Sequence, residues 1–120
     1  IAIWWNTDSS KLNTETKEII ADSSIEKLFS FASIWEMAIK VKIGKLTVQP
    51  YLHTFVDKKI KKNGINLLPI DEYAIYTTLT LDVHHQDPFD RLIIAQAVVE
   101  NIPVITADTL WKRYPIHVLP

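Results

Sequence analysis

Short apolar runs alternate along this chain with stretches whose apolar residues recur at helical spacing. Leu28-Phe29-Ser30-Phe31-Ala32, Ile65 to Ile70, Pro103 to Thr106 and Val118-Leu119 have the length and composition of strands, the last at a sheet edge. Between them lie helical patterns with recognisable starts. Asn13 or Thr14 caps a helix through Ile19 and Ile20, and Ser33 caps one from Ile34 to about Lys42, with Trp35, Ala38 and Ile39 as its packed face. Leu52, Phe55, Val56 and Ile60 space out a helix over 51–63 that Gly64 ends as a C′ glycine, and Asp71 caps another through Ala74, Ile75 and Leu79. Asp87 stands at an N-cap before Pro88 at N1. Beyond it Leu92, Ile93, Ile94, Ala95, Ala97, Val98 and Val99 leave little polar surface, so this helix is expected to be buried on most sides. Leu110 to Tyr114 make one further turn, and Ile1-Ala2-Ile3-Trp4-Trp5 reads as the middle of a buried helix. Strands alternating with helices, with no hairpin signal between strands, predict an α/β fold: a parallel sheet flanked by helices.

Composition narrows the function classes. The 120 residues make one domain by length, and 48% hydrophobic content is enough for a core. The absence of cysteine excludes a disulfide framework, a thiolate metal site and a cysteine nucleophile, and it fits a reducing cytoplasm. A net charge of −1 excludes a protein that holds nucleic acid mainly by bulk electrostatics. Such binding has to come from local lysines, either Lys40, Lys42 and Lys45 around Gly44 or Lys58, Lys59, Lys61 and Lys62, together with cations that offset acidic side chains. No apolar run approaches membrane-spanning length.

The acidic residues carry the chemistry. Asp87 and Asp90 at N-cap and N3 are accounted for by capping alone, and Ser33-Ile34-Trp35-Glu36 forms a capping box that gives Glu36 a structural role. Position argues for more. Ligands of open parallel sheets bind beyond the carboxyl ends of the strands. Glu36 follows the strand ending near Ala32, Asp108 follows the one ending at Thr106, and Asp90 opens the helix after the loop of His84 to Gln86. Carboxylates gathered there repel one another and need a raised pKa or a divalent cation. Oxygen ligands without cysteine or a paired-histidine motif favour Mg2+ or Mn2+ over zinc. Phosphodiester hydrolysis by a metal-activated water is the reaction such a cluster serves most naturally.

With those residues in place the chain resembles a PIN-domain ribonuclease of the VapC toxin type. The matching pieces are Ser33-Ile34-Trp35-Glu36-Met37-Ala38-Ile39-Lys40 with Gly44-Lys45-Leu46, then the run from His85 to Ala97 containing Asp87-Pro88-Phe89-Asp90-Arg91, then Ile105-Thr106-Ala107-Asp108. The resemblance implies a PIN-like fold and a Mg2+- or Mn2+-dependent endoribonuclease with acids at Glu36, Asp90 and Asp108. It implies that Thr106 helps hold Asp108 or its water, that an antitoxin wraps the toxin, and that two PIN domains form a homodimer. Asp87 is assigned to the helix cap, and His84 and His85 to the loop. Trp4 and Trp5 resemble tryptophans that follow the first strand in that family. Lys40 and Lys45 are candidate phosphate contacts, with Arg91 and Lys112 behind them. PIN domains of this type begin with a strand ending in an aspartate, so the chain is expected to lack its first, central strand upstream of Ile1 together with one metal ligand. Two readings compete with the nuclease: a non-catalytic PIN-like interaction module, and a small-molecule phosphatase, which the lack of an Asp-x-Asp sequence or a phosphate-cradling glycine loop opposes.

Overall fold

The computed structural model describes residues 2–4, 12–48, 51–82 and 87–120. Five strands are found among them: β1 (Ala2–Trp4), β2 (Lys27–Ser30), β3 (Ile65–Leu68), β4 (Val104–Ile105) and β5 (Val118–Leu119). They form one sheet in the order β3-β2-β1-β4-β5, and every pairing is parallel. The chain therefore winds outward from β1 to β3, returns across the sheet, and continues on the other side with β4. That reversal makes a topological switch point beside β1, where a crevice opens at the carboxyl edge.

Because successive strand residues face opposite ways, one strand feeds two cores. Leu28 packs with Ile93, Ile94, Ala97, Val104 and Trp111, whereas Phe29 packs with Met37, Val56, Ile60 and Ile65 on the other side. Val104 and Ile105 divide likewise, Ile105 meeting Leu12 and Ile20. Both faces of the sheet are covered, as a parallel sheet requires.

The helices begin where their caps dictate. In α1 (Thr14–Ala21) the Asn13 side chain accepts from the Thr16 amide at 2.8 Å, and in α4 (Glu72–Thr77) Asp71 accepts from Ala74 at 2.9 Å. The expected helix over 51–63 is present but not uniform: α3 (Leu52–Phe55) continues as a π turn, Val56–Ile60, and a 3-10 turn, Lys61–Asn63, before Gly64 closes it at φ +76°. Helix α5 (Pro88–Glu100) is capped by Asp87 and buries the unbroken run Ile93 to Ala97, then ends at Asn101 in the left-handed region. A 3-10 turn, Thr109–Arg113, leads to β5.

Two expectations are corrected. Residues 2–4 are not helical, since Ala2–Trp4 is a strand paired with β2 on one side and β4 on the other, and it holds the central place for which a strand upstream of Ile1 was expected. A short run of β-branched and aromatic residues suits either element by pattern alone, and pairing on both sides decides for the strand. Helix α2 (Phe31–Lys42) also starts a turn earlier than expected. Ser30, not Ser33, is its N-cap and accepts from the Ala32 amide at 3.0 Å. The packed face is then Ala32, Ser33 and Met37, while Trp35 is 57% exposed and Phe31 and Ile39 lie open beside it.

Candidate metal centre

The shift of one turn in α2 changes what Glu36 is. With Ser30 as N-cap, Glu36 is no longer at N3, so it cannot close a capping box; the local structural explanation for this acid is gone. Helices α2 and α5 run antiparallel, since Ser30 meets Gln96 at one end of the contact and Trp35 meets Phe89 at the other, ring centroids 5.1 Å apart and edge to face. Glu36 is thereby delivered to the amino end of α5, where carboxylate oxygens of Glu36, Asp87 and Asp90 lie within 4.8 Å of one another.

The three acids sit in different surroundings. Asp87 is exposed and uses Oδ1 to accept from the amides of Phe89 (2.8 Å) and Asp90 (3.2 Å). Glu36 keeps only 12% of its side chain exposed and faces Lys40 Nζ at 3.8 Å, one helical turn on. Asp90 is the most enclosed in charge, and its Oδ1 is buried without a hydrogen-bond partner. Burial, reinforced by the negative charges of Asp87, Glu36 and Asp108 and eased by Lys40, pushes the Asp90 carboxyl up to about 7. Burial raises Glu36 as well, against the pull of Lys40.

Asp108 contributes its negative charge to the field at Asp90, beside the group formed by Glu36, Asp87 and Asp90. It follows β4, is exposed, and accepts from the Leu110 amide at 3.0 Å, capping the 3-10 turn. The Asp108 amide in turn donates to Thr106 Oγ1 at 3.1 Å, from a threonine with no exposed surface.

An α/β chain of this topology, with acids converging at the carboxyl edge, narrows the possible relatives, and sequence comparison decides among them: the family model of the PIN domain matches residues 1–116. The chain belongs to the PIN domain family. No curated protein matches it in sequence. Among solved structures it is similar to VapBC2 from Rickettsia felis bound to a DNA fragment from their promoter, with a TM-score of 0.68, 12% identity, and 98% of this chain and 97% of that one covered. It is also similar to FitAB bound to a DNA fragment, with a TM-score of 0.59, 13% identity, and 98% and 93% covered.

For this PIN domain the fit of the acids to a divalent cation follows from their chemistry. The donors are hard oxygens with negative charge in excess, and one buried carboxylate oxygen is left without a proton donor, which is the condition a cation relieves. Sequence reasoning assigned Asp87 to capping and stopped there. It does cap, yet a carboxylate has two oxygens, and only Oδ1 is engaged by the first-turn amides. The spacing Asp87 to Asp90 held the signal, since both lie on the first turn of one helix.

The basic residues divide similarly. Lys40 and Lys45 are exposed near the end of α2, Lys40 beside Glu36. Arg91, expected as a substrate contact, donates instead to three backbone carbonyls, those of Thr78 (2.7 Å), Asp82 (3.1 Å) and Leu81 (3.3 Å), and so ties α5 to the turn after α4. Lys112 is exposed on the 3-10 turn. His84, His85 and Trp5 lie outside the described residues.

Proposed function

We propose that this PIN domain, a single unit over residues 1–120, is a metal-dependent endoribonuclease acting in the cytoplasm as the toxin of a toxin–antitoxin pair. The observation that carries the reading is the meeting of Glu36, Asp87 and Asp90 at the carboxyl edge of the sheet around a buried, unpartnered oxygen of Asp90. Family membership supports it, since PIN domains are in general nucleases.

In this reading Glu36, Asp87 and Asp90 hold Mg2+ or Mn2+, with Asp108 adding negative charge from beyond β4. The cation supplies a lowered water pKa and shields charge on the phosphate. Lys40 and Lys45 receive the flanking phosphates, and Arg91 is left to its carbonyls. The raised Asp90 carboxyl makes cation binding favour higher pH, because proton and cation compete for the same oxygens.

The antitoxin is assigned to the apolar groove beside the acids. Trp35, Ile70, Ile75, Pro88 and Leu92 line about 610 Å³ there, and Phe31, Ile39 and Leu79 extend the exposed apolar surface. Contiguous surface of this kind marks a protein partner. A homodimer would cover a second part of it.

The test is cleavage of total cellular RNA by the purified protein with Mn2+, with EDTA, and with Asp90→Asn alongside. Discrete fragments that disappear with EDTA and in the variant are the expected result. A folded protein that binds Mn2+ and cleaves no RNA would sink the ribonuclease; one that neither binds metal nor cleaves would leave the non-catalytic interaction module.

A further inference from the structure

We infer that Gln96 is a positioning residue for the acid cluster: its buried amide fixes the axial register of α5 against α2, and that register is what brings Asp90 opposite Glu36. The inference rests on the reading of the cluster as a cation site.

Gln96 stands where a polar residue is out of place, in the middle of the buried run Ile93 to Ala97, with 2% of its surface exposed. Both ends of its amide are used. Oε1 accepts from the Ser30 hydroxyl, and Nε2 donates to the Pro69 carbonyl at 3.1 Å. Ser30 has no exposed surface, ends β2 and caps α2; Pro69 follows directly on β3, whose last residue, Leu68, is paired with Ser30. One side chain of α5 therefore grips the carboxyl ends of two neighbouring strands and the first turn of α2.

The spacing gives the grip its consequence. Glu36 lies six residues beyond Ser30 along α2, and Asp90 lies six residues before Gln96 along α5. In an antiparallel pair these are equal lengths, about 9 Å of helix at 1.5 Å per residue, so the Ser30–Gln96 bond and the Glu36–Asp90 approach are two rungs of one register. Apolar burial of Ile93, Ile94, Ala95 and Ala97 is non-directional and does not by itself name one register. A buried amide does, since any slide leaves it unpaired in an apolar core. Repulsion between Glu36, Asp87 and Asp90 pushes the other way. The tie holds the acids at a separation they would not choose without a cation.

The experiment is calorimetric Mn2+ binding at pH 8 by the full chain, with Gln96→Met, Ser30→Ala, and Ile60→Val as a control that loosens the core across the sheet. Thermal unfolding of each metal-free protein runs in parallel. Gln96→Met and Ser30→Ala are expected to weaken Mn2+ binding by about tenfold to a hundredfold, as loss of a group that orients ligands does. Ile60→Val should keep wild-type affinity even where its unfolding midpoint falls as far. Ser30→Ala carries the test if Gln96→Met does not fold. Wild-type affinity in either folded variant would overturn the inference, and so would an equal loss in the control. A wild-type protein that takes no Mn2+ would instead refute the cation site. The register is then judged by the crystal structure of Gln96→Met, where an α5 that has moved along its axis supports the inference and one that has not moved overturns it.

Discussion

Asp90 stabilises this protein less when charged than when neutral, and the difference can be worked out. Its usual value of 3.8 is raised to about 7 in the fold, so the folded state holds a proton that the unfolded chain has already released at intermediate pH. Stability contributed by this group is fully present below about pH 4, declines as pH rises, and is lost above about pH 7. At roughly 1.4 kcal/mol per pH unit the gap between 3.8 and about 7 sets a ceiling of about 4 kcal/mol. Solvent screening of a carboxyl at the protein surface, shared among coupled neighbours, brings that to on the order of 2 kcal/mol. Asp90→Asn keeps the shape and removes the charge. In EDTA, the variant should match wild type near pH 4 and exceed it by about 2 kcal/mol at pH 8, roughly 10 °C in midpoint for a domain of this size. Urea unfolding of both proteins from pH 4 to pH 9 measures it. A variant less stable than wild type at pH 8, or a difference that does not change with pH, would refute the reasoning.

Other expectations follow from the same geometry. Saturating Mn2+ should raise the unfolding midpoint of wild type more at pH 8 than at pH 5, by about 3 kcal/mol at a hundredfold excess over Kd, and EDTA should reverse it. Asp87→Asn preserves an N-cap acceptor but not the charge, so it should hold metal-free stability within about 0.5 kcal/mol, whereas Asp87→Ala loses about 1 kcal/mol; both should weaken Mn2+ binding in calorimetry. Arg91→Met should lower stability in urea by about 1–3 kcal/mol through its three carbonyls while RNA cleavage persists, a result that phosphate contact by Arg91 would reverse.

How much of this was legible in the chain depends on how local each cause is. The start of α5 was fully readable, because Asp87, Pro88 and Asp90 settle it within four residues. The start of α2 was not. Ser30 and Ser33 are both good caps, and the decision falls to a hydrogen bond with Gln96, 66 positions away. The same distance effect put Trp35 and Ile39 outside: hydropathy favours large apolar residues for a packed face, but the side of α2 turned inward carries Ala32, Ser33 and Met37. At the site, Glu36 and Asp90 were found by the rule that ligands gather at carboxyl ends of parallel strands, and Asp87 was passed over because one sufficient role had been found for it. No propensity distinguishes a strand from a buried helix in Ala2 to Trp4; partners supplied by β2 and β4 do.

The central place of β1 has a consequence for how the chain comes off the ribosome. Ile3 pairs with Val104, about a hundred residues later, so one edge of the strand stays open while the residues between them are made. Contacts of such separation form late and slowly. During that interval the nascent chain offers an unpaired strand edge to whatever is near, and a chaperone or an early-binding partner has its longest opportunity there. The helix that carries Asp87 and Asp90 immediately precedes the closing strand. Assembly of the acidic edge and completion of the sheet are thus close to a single event.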